Sequence, residues 1–231
     1  MSKSKSKIKM PQSKSNIESK IKTHIVDLTK QSKKSIKPIK RSNHIHFSDH
    51  PDFQPNLSPK EVLQMGSFGG TYYRPIYSQV TENNLKDQHL DYPKSWFSKL
   101  DIPKQITSSI YDQLVNKYKV KCGQSLLAWE ESGWMSNLDP YGWFQWYCRF
   151  YLGRRHPEED ARQIQRWKNI TGERGRHRNS LITIIQKEIK KNPKLNIHSI
   201  EISPARRQTL QHWGYKLSKK DYDERIKYLS A

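Results

Sequence analysis

The stretch Asp139–Lys168, "DPYGWFQWYCRFYLGRRHPEEDARQIQRWK", decides the fold class. Trp143, Trp146, Tyr147 and Phe150 recur at i, i+3, i+4 and i+7, and Phe144 and Tyr151 widen the stripe, so one whole face of a helix is aromatic. Asp139 and Pro140 read as its cap and first residue, and Gly153 follows its end. Gln145 and Arg149 fall on the other side. The spacing predicts a core helix rather than a base-stacking platform, which would need the same rings exposed.

A second helix opens at His156-Pro157. Glu158, Glu159 and Asp160 occupy its first turn, where unpaired amides and the helix dipole favour negative charge. Adjacent acids point in different directions around a helix, so these three and His156 are not read as a metal site, and no cofactor is implied. Ala161, Ile164 and Trp167 face inward; Glu158 and Arg162 form an i,i+4 pair, and Arg166 has no obvious partner.

Working outward, the same punctuation recurs. "SPKE" at Ser58–Glu61 is a capping box with proline at the first helical position, predicting a short helix to Met65 that stops at Gly66. "GSFGGTYYRPIYSQV" then predicts a small hairpin or extended segment near 68–80. Its glycines lack the Gly-Lys-Ser/Thr ending of a phosphate loop and read as tight turns. Ile106, Ile110, Leu114 and Tyr118 recur every fourth residue, predicting a helix to about Lys119. "QSLLAWEES" gives a shorter helix closed by Gly133.

Downstream, "GERGRHRN" reads as a glycine-containing connection bearing Arg174, Arg176, His177 and Arg178. The Leu181, Ile182, Ile184, Ile185 and Ile189 stripe of another helix follows it. "SPARRQTLQHWG" is a helix capped by Ser203 and stopped by Gly214, with Leu210 and Trp213 inward and Arg207, Gln208, Gln211 and His212 around its remaining surface. Arg and Gln read base edges in a major groove, and groove insertion stays open, although the "KNPKLNIHSIEI" link is longer than the few-residue turn of a helix-turn-helix. A last helix is capped by Ser218, with Asp221 three residues on. The fold class is therefore mainly α: a compact helical domain over residues 54–231.

Ahead of it, residues 1–53 read as a disordered Lys/Ser-rich basic arm. From Met1 to His50 there are thirteen Lys/Arg against three acids, a net +10, with no Trp or Tyr and a single Phe, so little apolar surface is there to offset ordering entropy. The arm is suited to phosphate contact or to a nuclear import signal in "KKSIKPIKR". The whole chain has 231 residues and a formal charge of +20, so the remainder carries the other +10 and is basic in its own right. That balance calls for an anionic partner, nucleic acid first, DNA or RNA alike. No apolar run is long enough to span a bilayer. Cys122 and Cys148 lack a second pair for a four-ligand zinc site and read as thiols of an intracellular protein.

The combination "GSFGGTYYRPIYS", "DPYGWFQWYCRFYLGRR", "RQIQRW" and "SPARRQTLQHWGY" resembles an uncharacterised family of small basic proteins associated with giant DNA viruses and some algae and fungi. The resemblance covers about Leu57 to Leu217 and excludes the arm. It implies an intracellular setting, the nucleus or a virus factory or virion. That family has no established activity, so no catalytic residue is carried over.

The residues point to a non-enzymatic nucleic-acid-binding protein of low sequence specificity. Arg154, Arg155, Arg166, Arg174, Arg176 and Arg178 form one candidate set of phosphate contacts, and Arg206 and Arg207 a second. An enzyme acting on a phosphorylated substrate would use His156, His177 or His212 as acid or base, but it finds no paired carboxylates, nucleophile elbow or Walker loop. A third reading makes the 132–143 loop a protein-docking element with Trp134 and Met135 as anchors.

Overall fold

The computed structural model describes residues 38–41 and 43–230, so the first 37 residues of the expected arm lie outside the described ones. The body begins earlier than position 54. Strands β1 (Ile39–Arg41) and β2 (His44–His46) pair antiparallel, with Lys40 opposite Ile45. Ile45, Phe47 and Phe53 are buried, and Phe53 meets Trp146, Tyr147, Phe150 and Trp167 at ring-centroid distances of 5.1–5.7 Å. Ile45, Phe47 and Phe53, at the end of the expected arm, thus join the core built on the aromatic helix.

The architecture is mainly helical. Helix α1 (Pro59–Gln64) has the expected capping box: Ser58 Oγ accepts from Glu61 N and Glu61 Oε2 accepts from Ser58 N. After it come α2 (Ile102–Gln105), α3 (Leu126–Glu131), α4 (Trp143–Tyr151), α5 (Pro157–Thr171), α6 (Arg176–Lys191), α7 (Pro204–His212) and α8 (Lys219–Ser230). The segment near 68–80 supplies a turn of 3-10 helix at Phe68–Gly70 and strand β3 (Ile76–Ser78), which pairs antiparallel with β4 (Asn83–Leu85).

Two apolar clusters organise these elements. The first is built on α4, whose Trp143, Phe144, Trp146, Tyr147 and Phe150 are all buried among Phe47, Phe53, Tyr72, Tyr73 and Trp96. The spacing-based reading of that helix as core holds. The second joins Leu181, Ile182 and Ile185 of α6 to Ile197, Ile202, Leu210 and Tyr215. Two of the buried polar tips find partners: Trp146 Nε1 donates to Asp160 Oδ1 at 2.8 Å, and Tyr147 Oη to the Leu57 carbonyl at 2.8 Å.

Four local expectations are corrected. The helix expected from Ile106 to Lys119 is absent: after α2 the chain is irregular apart from a 3-10 turn at Gln113–Val115, and Ile110 and Leu114 are 76% and 61% exposed. Its amides bond across to the glycine segment instead, Ser108 N to Gly70 O, Asp112 N to Gly69 O and Lys117 N to Gly66 O, at 3.0–3.1 Å. Ser108 and Asp112 also accept from Ile110 N and Leu114 N, local bonds that compete with helix formation. Helix α4 starts at Trp143 behind Gly142, because the Asp139 carboxylate is committed elsewhere. Ser203 does not cap α7: its φ is +53° and its Oγ accepts from Arg206 Nη1 at 3.3 Å. Ala161 is exposed rather than inward.

The glycine segment is a structural junction. Phe68 N donates to His212 Nε2 at 3.0 Å and Gly69 N to Asn116 Oδ1 at 2.8 Å, so these amides are not available to a phosphate. The turn reading of those glycines agrees with this use.

Candidate functional site

The eight arginines singled out by sequence separate into three groups. Arg154 grips Asp139, which is fully buried, with two bonds of 2.7 and 2.5 Å; Arg149 reaches the same carboxylate at 3.1 Å. Arg155 pairs with Asp49 at 2.6 Å, and its guanidinium lies 3.8 Å from the centre of the Phe150 ring. Arg178, expected in a loop, is in the first turn of α6, buried, and paired with Asp221 at 3.0 Å. Arg207 is buried and donates to the Ile202 and Ile197 carbonyls at 2.9 and 2.8 Å. These four are committed to the fold, with their charge or donors satisfied internally.

Arg174, Arg176 and Arg206 are exposed, and no carboxylate among the described residues lies within ion-pairing distance of them. Helix α6 opens with Arg176, His177 and Arg178 behind an uncapped Gly175, with no acid in its first turn. Cations there oppose the helix dipole. Burial lowers the His177 pKa, and the charges of Arg176 and of Arg206 from α7 lower it further. Two helices thus bring like charges to one place, which sequence distance alone could not show.

Arg166 stands apart. Its guanidinium is half-buried, 5.6 Å from the Trp134 ring centre and 5.5 Å from that of Trp213. Its side-chain acceptor is the neutral Gln163, at 2.9 Å. Burial depresses its pKa to about 10, with the neighbouring Arg162 charge acting in the same direction. Arg162 pairs with Glu159, three residues back, at 2.7 Å, not with the expected Glu158. Trp134 is exposed as expected of a loop anchor, but Met135 is buried against Gly142. The inclusion of Trp213 was not legible, since its i,i+3 relation to Leu210 marks it as core.

The polar face of α7 is not a reading surface. Gln208 and Gln211 donate to Gly66 O at 3.3 and 2.8 Å, and the His212 ring stacks on Phe68 at a centroid distance of 4.1 Å. All three side chains are buried. Stitching a left-handed glycine segment to a helix takes the same amide chemistry as reading bases, and sequence does not separate the two uses.

His212 carries a pH dependence. Its Nε2 accepts from Phe68 N, so the neutral ring holds its proton on Nδ1, and burial pushes its pKa down to about 3. A depressed folded pKa means the stabilisation is complete above the unfolded value near 6.5 and is lost as pH falls toward 3. Urea unfolding should therefore show a loss of about 3 kcal/mol between pH 6.5 and pH 4 from this group. A His212→Leu variant, although less stable at neutral pH, should lose that part of the slope; an unchanged slope would refute the assignment.

Among the described residues no group of three or more His, Cys, Asp or Glu is placed to hold a metal, and no helix is long and apolar enough to cross a membrane. His156 caps α5, its Nδ1 accepting from Glu159 N at 3.4 Å. Comparison with protein-family models, curated proteins and solved structures found no match to this chain.

Proposed function

We propose that this protein binds nucleic acid through phosphate contacts with low sequence specificity, and that Arg174, Arg176 and Arg206 are the contacts supplied by the folded body. The observation that carries this reading is that Arg174, Arg176 and Arg206 are exposed with no carboxylate of the described residues within ion-pairing distance, the charges of Arg176 and Arg206 both acting on His177. Like charges held together raise the free energy of the unbound protein and are relieved by a polyanion, which also gains from counterion release. The formal charge of +20 supports the same partner class. Arg154, Arg155, Arg178 and Arg207 are left out of the contact set, because binding through them would break internal ion pairs or backbone bonds.

Salt titration of the full chain on random-sequence duplex tests the assignment. Each lost phosphate contact makes the slope of log K against log salt shallower by about 0.9, so Arg176→Ala with Arg206→Ala should remove about 1.8. The control is Lys219→Ala with Lys220→Ala, since those exposed cations already face Asp223 and Glu224 and their loss should leave the slope nearly unchanged. Equal effects of the two pairs would reject a defined contact set in favour of diffuse charge.

A further inference from the structure

The Trp134, Arg166 and Trp213 cluster is not accounted for by phosphate contact alone. Trp134 is 40% exposed, and no other aromatic ring stacks on it among the described residues. Its loop is pinned over α5, because its carbonyl accepts from Arg162 at 3.5 Å and from Arg166 at 3.3 Å, and its amide donates to Trp129 O at 3.0 Å. An exposed indole is thereby held on a braced backbone, which lowers the ordering cost of binding on the main chain.

Arg166 supplies the second half. Its guanidinium approaches two indoles, and the side chain that accepts from it is neutral. Arg162 is already matched by Glu159 through two bonds of 2.8 and 2.7 Å, so Arg166 feels the Glu159 charge but has no carboxylate of the described residues within ion-pairing distance. Against Trp213 packs Trp143, at 4.6 Å, whose buried indole N–H has no acceptor among the described residues. The neighbourhood therefore combines a partly exposed indole, a half-buried cation with no direct ion-pair partner beside it and a spare buried donor.

We infer that Trp134 and Arg166 form a stacking subsite for one unpaired nucleotide of a single-stranded nucleic acid, the base lying on Trp134 and its phosphate on Arg166. The inference rests on the nucleic-acid reading above and deepens it by naming the strand state. In a duplex both faces of each base are covered by neighbours, so an indole can stack only on an unpaired or terminal base. A carboxylate of a protein partner would satisfy Arg166 but would leave the Trp134 face unused, which is why the nucleotide is favoured.

The test uses the full chain, a labelled oligothymidylate, and an abasic strand of the same length and charge. Contacts to phosphate alone, from the body or from residues 1–37, act equally on both strands. Trp134→Ala should weaken oligothymidylate binding about 5- to 100-fold and leave abasic binding unchanged. Trp134→Phe, which keeps an aromatic face, should recover part of the loss, and thermal melting of each variant shows that it is folded. Arg166→Lys, keeping charge but not the planar fork, should weaken both strands alike, because the phosphate it holds is present in each.

Equal loss on both strands from Trp134→Ala, or no loss on either, would overturn the stacking subsite. If the Arg176 and Arg206 pair still governs the salt slope in that case, only the stacking subsite fails. If the wild-type chain binds neither single strand nor the random-sequence duplex, both readings fail together. Binding of an acidic peptide that depends on Trp134, with strand binding indifferent to it, would overturn the subsite and assign the cluster to a protein partner.

Discussion

Asp139→Ala lowers the stability of the folded body by about 3 kcal/mol or more, the largest loss expected from removing any one charge. Asp139 is fully buried and is shared by Arg149 and Arg154, so its removal leaves two guanidiniums near a desolvated pocket with no counter-charge. Removing one partner of a buried pair costs about 3–5 kcal/mol, mostly through the unpaired charge left behind. The lower end applies because the two arginine side chains keep 25% and 24% of their surface exposed and can turn partly to water. Arg149 also retains the Leu138 carbonyl at 2.7 Å and Asp91 at 3.4 Å. Asp139→Asn, which keeps the acceptor oxygen and loses the charge, should fall between the wild type and the alanine variant. Urea unfolding measures all three. In a double-mutant cycle, adding Arg154→Ala to Asp139→Ala should recover part of the loss. A cost below about 1 kcal/mol would mean that the ion pairs are not retained in solution.

The second large effect is at Gly66. Its φ of +89° lies where side chains are disfavoured, and an added Cβ would sit 2.2 Å from the Val115 carbonyl oxygen, backbone that cannot rotate away. The Gly66 carbonyl accepts from Lys117 N, Gln211 Nε2 and Gln208 Nε2, so shifting the chain to relieve the clash breaks the junction between the glycine segment, the 106–117 segment and α7. Gly66→Ala should cost about 4 kcal/mol or more, combining backbone strain of about 1–2 kcal/mol with the loss of these bonds. Gly133→Ala is the internal comparison. Its φ is +66° but nothing lies within 4 Å of the added atom, so it should cost only about 1 kcal/mol. Chemical denaturation of both variants separates conformational strain from packing, and equal losses would refute the junction.

The glycine segment also shows how far local pattern reaches. A stripe at Ile106, Ile110, Leu114 and Tyr118 satisfies helical spacing, yet the backbone there bonds sideways to Gly66, Gly69 and Gly70. Hydrogen bonds are satisfied either way, and the choice between the two depends on a partner some 40 residues earlier in the chain. The α7 face failed for the same reason: Gln208, Gln211 and His212 look like surface polar residues until Gly66 and Phe68 are placed against them.

What the sequence determined alone is the mainly helical class, the aromatic core of α4, and most helix starts, because caps and apolar spacing act over four to seven residues and are written locally. It also determined the excess of positive charge, which is a property of composition. Which arginines remain free was decided by tertiary structure. Asp49, Asp139 and Asp221 lie 106, 15 and 43 residues from the arginines they neutralise, and only folding brings them into contact. The same holds for the charges of Arg176 and Arg206 that act on His177, and for the approach of Arg166 to Trp134 and Trp213. Charge and ring type belong to single residues, but a binding surface is made by the charges and rings that the fold leaves unpaired.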